Sequence, residues 1–317
     1  MKSECPPGDI DRLPADALVS LVVPTRNRAY TLRKVLPSYF EQAALGEIVL
    51  VDDAGTDDVS DVFDMIGQHY PHIDRRYVRN GTRGGASRGR QQGAALARYP
   101  FVLFCDDDEY LEPGYAAECL RLLIEHDAGA VSGRRVYMMA GETQAEALAR
   151  FGNGMRRAAP FDYNLCELVN AARFDGVLSL PLTNSNILTR KDLVARFGFD
   201  PHYATGNGYR EESDYQMNLF VHGWGVLVSN AVHSFHLPMS EVRTGGQRVR
   251  RLRKFLWSVR YNGYFLDKYY AAYRRAVGLA QPLWLAKTRA TAYFAWRNFF
   301  RPPLYGAAMR LRHGLRR

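Results

Sequence analysis

Short apolar runs alternate with amphipathic stretches through the first 240 residues. Residues 18–23 (LVSLVV), 47–51 (EIVLV), 76–78 and 101–104 predict strands, the first stopped by Pro24. Residues 31–40, 57–70, 87–98 and 113–126 predict helices between and after them. In the second of these, Val59, Val62, Phe63 and Ile66 recur at helical spacing, with Asp57 or Asp58 placed to cap. Strand–helix alternation with short connections implies a parallel sheet with right-handed crossovers. Residues 127–210 are less regular, broken by Gly152-Asn153-Gly154 and Pro160. Residues 226–228 and 231–235 read as two further strands. Beyond Gly245-Gly246 the pattern turns helical, over roughly 248–275 and 283–300.

Composition alters this picture in one place. The 317 residues are 47% hydrophobic, enough for one large domain with an appendage. The net charge of +9 is unevenly spread. Residues 241–317 hold 18 Lys/Arg against 2 Asp/Glu, and the rest holds 24 against 31. A mildly acidic globular part therefore carries a strongly basic, aromatic-rich tail, suited to an anionic surface. The four cysteines show no metal spacing, which fits free thiols in a reducing compartment. Residues 1–13 lack the apolar core of a signal peptide, and no stretch reaches the ~18 apolar residues of a membrane span.

The strand ends carry the chemistry. The run 101–104 stops in Cys105-Asp106-Asp107-Asp108-Glu109. Open α/β sheets bind ligands at the carboxyl edge of their strands. Crowded carboxylates there repel one another, and a hard divalent cation such as Mg²⁺ or Mn²⁺ relieves the repulsion. The first strand ends in Pro24-Thr25-Arg26-Asn27-Arg28 and the second in Asp52-Asp53-Ala54-Gly55-Thr56-Asp57. Each alone reads equally well as a polar turn.

Together, in this order, these segments resemble the family 2 glycosyltransferases. The P-T-x-N-R-like turn, the V-D-D-x-S-x-D-like turn at 51–57 and the D-x-D motif Asp106-Asp107-Asp108 carry the resemblance, with residues 80–93 matching a further family segment loosely. It implies the GT-A fold: α/β, Rossmann-like, a mostly parallel central sheet flanked by helices, here with a C-terminal basic helical extension. The expected division is 1–17 as an N-terminal extension, 18–240 as the catalytic domain (18–126 nucleotide-binding, 127–240 acceptor-binding) and 241–317 as the extension. It implies a metal-dependent, inverting glycosyltransferase of the hexosyl or deoxyhexosyl type. The donor is a nucleotide-sugar, UDP ahead of dTDP or GDP. The acceptor is a hydroxyl of a glycan, a lipid-linked saccharide or a small molecule. The site is a cytoplasmic one, with possible attachment to the inner face of the plasma membrane.

The resemblance also assigns residues. Pro24, Thr25, Arg28, Asp52 and Asp53 line the nucleotide pocket, Arg83, Arg88 or Arg90 meets the diphosphate, Asp106 sits near the ribose, Asp107 belongs to the nucleotide-sugar site, and Asp108 holds Mn²⁺ or Mg²⁺. An E-D-x-D-like motif stands at Glu211-Glu212-Ser213-Asp214, opening a predicted helix. Glu212 is the expected base, with Asp214 and then Glu211 as alternatives. Acids in a first helical turn are also favoured by the helix dipole alone. His236, ahead of His233, is a further candidate metal ligand; strand alternation puts the two on opposite faces. Asn184, Ser185 and Asn186 are candidates for sugar contact, and Trp224 for core or pocket wall. The tail's aromatics either pack on the catalytic domain or lie in a membrane interface. A nucleotidyltransferase would carry a Gly-rich loop with lysine after the first strand, which is missing. A nucleic-acid binder would use the tail and leave the acidic strand ends unexplained.

Overall fold

The computed structural model describes residues 18–151, 154, 158–245 and 249–301. Its first part follows the predicted alternation: β1 (Val19–Thr25), α1 (Ala29–Phe40), β2 (Leu45–Asp52), α2 (Val59–Gly67), β3 (Asp74–Arg79), α3 (Gly85–Leu96) and β4 (Phe101–Phe104). These four strands are parallel, in the order β3-β2-β1-β4. Every residue of β1 and β2 is buried, because helices cover both faces of the sheet. β1 runs through Pro24 rather than stopping before it. Pro24 lies beyond the last β4 partner, Val22, where an absent N–H is tolerated. The capping expectation also changes. Asp58 makes no side-chain cap for α2, and Asp57 instead accepts a 2.8 Å bond from the Ala29 amide, capping α1.

The second part is β5 (Glu109–Leu111), α4 (Tyr115–Glu125), β6 (Ala130–Tyr137), α5 (Gln144–Phe151), the small hairpin β7 (Phe161–Asp162) and β8 (Glu167–Leu168), then β9 (Val177–Ser179), β10 (Ile187–Arg190), α6 (Lys191–Phe197), α7 (Glu211–Val221) and β11 (Val226–His236). β10 inserts antiparallel between β4 and β6. β11 runs parallel to β6 and antiparallel to β5 and β9, completing a nine-stranded, mostly parallel sheet. The two strands read from 226–228 and 231–235 are one. Its register against β6 shifts between Ser229 and His233, a bulge that absorbs the polar Asn230.

The tail forms α8 (Arg251–Ala276), α9 (Leu283–Ala295) and a π-helical turn, Trp296–Phe300. α8 buries Phe265, Leu266, Tyr269, Tyr270 and Tyr273 against Leu180, Leu182, Met217 and Val228 of the sheet domain. Each such burial contributes ~1.5–3 kcal/mol. This face of the tail therefore packs on the sheet domain, while Trp284, Trp296 and Phe300 are at least half exposed. Trp224 packs against the core beneath α6 and α7. Cys105, Cys119 and Cys166 are buried free thiols; Cys5 lies outside the described residues. Among the described residues no helix is long and apolar enough to cross a membrane.

Candidate active site

The carboxyl ends of β1 and β4 open onto a cleft of about 680 Å³, closed on the far side by the turn before α7, the segment 182–185 and the tail. Twelve expected site residues line it: Pro24, Thr25, Arg28, Asp53, Arg83, Arg90, Asp106, Asp107, Asp108, Glu211, Glu212 and His236. Asp52, Asp214 and His233 do not.

The turn after β1 projects Arg28 across to the end of β4. Its Nη1 donates to Asp107 at 2.6 Å and to Asp108 at 2.7 Å, and its Nη2 to the Thr244 carbonyl at 2.5 Å. Thr25 donates to the other oxygen of Asp107 at 2.7 Å. Burial pushes the Asp107 carboxyl up to about 6 despite Arg28, and the charge of Asp108 adds to the rise. Both turns are strained: Asn27 and Ala54 sit at φ 54° and 56°. Non-glycine residues persist there only when their surroundings impose it.

Asp52 and Asp53, adjacent in sequence, do different work. Asp52 is fully buried below the cleft, accepting from the Gly55 amide at 2.7 Å and from the Tyr77 hydroxyl at 2.9 Å. It builds the turn instead of lining the pocket. Asp53 faces the cleft and accepts from the amides of Gly84 (2.5 Å) and Gly85 (2.9 Å). Gly85 has φ +78°, and a Cβ there would meet the Ala204 carbonyl oxygen at 2.1 Å, so this position admits only glycine.

Arg90, on α3, is buried among three carboxylates. It donates to Asp106 at 2.6 Å and to Glu211, and lies 3.1 Å from Glu212. Burial alone would raise Asp106, but Arg90 and Arg135 hold it below the usual carboxylate range. Ser185 donates to Asp106 at 2.6 Å. Burial pushes Glu211 up to about 8, Arg90 opposing and Glu212 reinforcing the rise. Glu211 is thus sequestered, whereas the Glu212 side chain is 26% exposed to the cleft. Asp214, three residues on, points away. It accepts from Tyr203 (3.0 Å), Lys268 (2.8 Å) and Tyr269 (3.0 Å), which excludes it as an acceptor-facing base.

The donor set fits a divalent cation. Six carboxylates (Asp106, Asp107, Asp108, Glu109, Glu211, Glu212) meet three guanidiniums (Arg28, Arg90, Arg135). The upward shifts at Asp107, Glu109 and Glu211 accompany that shortage of positive charge beside burial. Ligand atoms of Asp108, Glu109 and His236 lie within 4.8 Å of one another. His236 Nδ1 is 2.6 Å from the Leu237 carbonyl, so it donates there and leaves the Nε2 lone pair 3.9 Å from Asp108. Glu109 lies behind them, fully buried on Arg135 and Asn186. His233 is elsewhere: its Nδ1 and amide both pair with Glu112, at 2.8 and 2.9 Å.

Several contributors escape sequence reading. Arg135 interrupts the apolar pattern of β6, a signal that a strand charge faces something anionic. Lys254 and Arg297 bring the tail to the cleft wall, with no local pattern to announce it. Of the three residues expected at the sugar, by contrast, Asn184 and Ser185 line the cleft, while Asn186 is buried bracing Glu109 and the Asp106 amide. Arg210, before α7, is held at φ 76° by Asn262 of α8 (3.0 Å) and by the Cys166 carbonyl (2.8 Å).

Comparison with known proteins follows the same geometry. Residues 20–182, just over half of the chain, match the family described as Glycosyl transferase family 2. The uncharacterized glycosyltransferase YibD of Escherichia coli is 26% identical over 110 residues, covering 34% of this chain and 31% of that protein. The putative glycosyltransferase EpsH of Bacillus subtilis is 32% identical over 105 residues (32% and 29%), and the hyaluronan synthase of Pasteurella multocida 31% over 123 (38% and 12%). The match spans less than a third of the length of each of these relatives. Among solved structures, Staphylococcus aureus TarS 1–349 in complex with UDP-GlcNAc superposes with a TM-score of 0.53 at 16% identity, over 89% of this chain and 72% of that one. That likeness establishes the shared fold.

Proposed function

The chain belongs to glycosyl transferase family 2, and from that premise we propose that it moves a sugar from a nucleotide-sugar, UDP-linked in the first instance, to an acceptor hydroxyl with inversion. The observation that carries this reading is the union of both acidic motifs on one cleft at the strand ends, with Glu212 as the accessible carboxylate of the second. In this reading Thr25 and Asp53, which line the cleft, meet the nucleoside, and Arg83 and Arg28 meet the diphosphate.

Glu212 takes the proton of the acceptor hydroxyl as its oxygen attacks the anomeric carbon. The bond from that carbon to the diphosphate oxygen breaks on the opposite face, and its electron pair leaves with the nucleoside diphosphate. Arg90 fixes the base and Asp106 together, so one guanidinium sets the distance between donor and acceptor machinery. Asp108 and His236 would hold a divalent cation, which would supply Lewis-acid stabilisation to the departing diphosphate.

A thermal-shift panel of UDP-, GDP- and dTDP-sugars, with and without Mn²⁺, tests the donor site on wild type and Asp108→Ala. Stabilisation by one nucleotide, dependent on both metal and Asp108, is expected. Stabilisation by none of them would remove the donor reading.

A further inference from the structure

The tail has a second face, and it borders the cleft. On α8 the buried Ser258 and Tyr261 look inward, while Leu252 and Leu256, one turn apart, are 60% and 55% exposed. Beside them stands the π-helical turn: the Phe255 and Phe299 rings meet at 5.4 Å, and exposed Trp296 stacks on exposed Phe300 at 6.3 Å. Arg250, Arg251, Arg253 and Arg301 are exposed around this patch. No acidic residue occurs in 249–266 or 288–301. Lys254 and Arg297, from the same two segments, line the cleft itself, so patch and cleft share a wall.

We propose that this face seats the mouth of the cleft on an anionic lipid bilayer, which presents an acceptor carried on a lipid phosphate. Aromatic and leucine side chains ringed by arginine suit the headgroup boundary, where apolar burial and attraction to anionic lipid act together. Leucines offer no face for base stacking, which disfavours a nucleic acid. A symmetric pair of chains would set basic patch against basic patch, which disfavours self-association. The lipid-borne acceptor rests on the glycosyltransferase reading; the bilayer contact does not.

The test is flotation of the full chain with vesicles of phosphatidylcholine alone or mixed with phosphatidylglycerol. Binding to the anionic vesicles only, weakened by salt, is expected. Leu256→Ser with Trp296→Ser should weaken it about tenfold or more. Arg251→Glu and Arg253→Glu should each weaken it about fivefold or more, since each removes at least one favourable charge. Nucleotide-dependent thermal stabilisation of these variants should match wild type, which shows that they fold. Equal binding to neutral vesicles, no binding, or indifference to the substitutions overturns the proposal. So does a wild-type dimer that the same substitutions dissociate. Vesicle binding with no response to any nucleotide-sugar would keep the docking surface and sink the enzymatic reading instead.

Discussion

Helix α7 carries two acidic networks on one turn, and they are built to opposite ends. Glu211 and Glu212 join the cleft network, where six carboxylates share three arginines. Asp214 joins a second network with Asp200, Lys268, Tyr203, Tyr264 and Tyr269. In the second, neutral hydroxyls and one ammonium satisfy the carboxylate oxygens, and the result ties α8 to the sheet domain. Each network holds two carboxylates per cation, so what sets the first apart is that it opens onto the cleft. A buried acid that is fully partnered is structure; a cluster that is accessible is a place for a cation and a substrate.

The sharpest way to break this contrast is to exchange the two kinds of damage. Glu212→Gln should lower kcat by about 10²–10⁴-fold with nucleotide-sugar binding retained. Steady-state turnover beside a binding isotherm checks it; wild-type kcat would strip Glu212 of its role. Asp214→Ala should do the reverse. It leaves a tyrosine–lysine cluster without its acceptor, costs about 1–3 kcal/mol, and lowers Tm by several degrees. A scanning melt showing no loss would mean the second network carries no stability.

Smaller effects sharpen the comparison. Arg28 now neutralises Asp107 and Asp108, so Arg28→Ala should tighten Mn²⁺ binding in the absence of nucleotide by about tenfold, the worth of one charge-assisted bond. Titration of the Mn²⁺ EPR signal reads it, and weaker binding would show that Arg28 organises the site rather than occupying it. The last effect is a slope. Glu211, raised to about 8 in the fold, holds a proton that the unfolded chain releases above its ordinary carboxyl range. The folded state then binds more protons, so this contribution is full below about pH 4.5 and is lost as pH rises through 8. Denaturant midpoints across that window should fall less steeply in Glu211→Gln, by under ~1.4 kcal/mol per pH unit.

In the first half β1, β2 and β4 were legible because they are mostly apolar, and β2 and β4 run into acids, whereas β3 is largely polar. Val19–Thr25 and Phe101–Phe104 need no partner to be recognised. In the second half β11 was legible, but β6, with Arg134 and Arg135 inside its run, and β10 were not. Their strand character comes from neighbours in the sheet. The site divided likewise. Residues at the cleft were found by motif, but a motif cannot say which of two adjacent acids turns inward. Asp52 against Asp53, and Asp214 against Glu212, are decided by helix and turn geometry, whereas strand alternation already separates His233 from His236. The tail's share, through Asn262 and Lys268, is a long-range contact without local trace.

That long reach has a consequence for how the protein is made. α7 leaves the ribosome well before the groups that complete it. Arg210 waits 52 residues for Asn262, and Asp214 waits 54 for Lys268 and 55 for Tyr269. At ~5–20 residues per second, that is an interval of roughly 3–11 s. During it the turn before α7 lacks the clamp that imposes its left-handed backbone, and the apolar underside of the sheet lacks its cover. A chain arrested in that window presents a formed first half beside an unfinished α7, a natural target for chaperones and proteases.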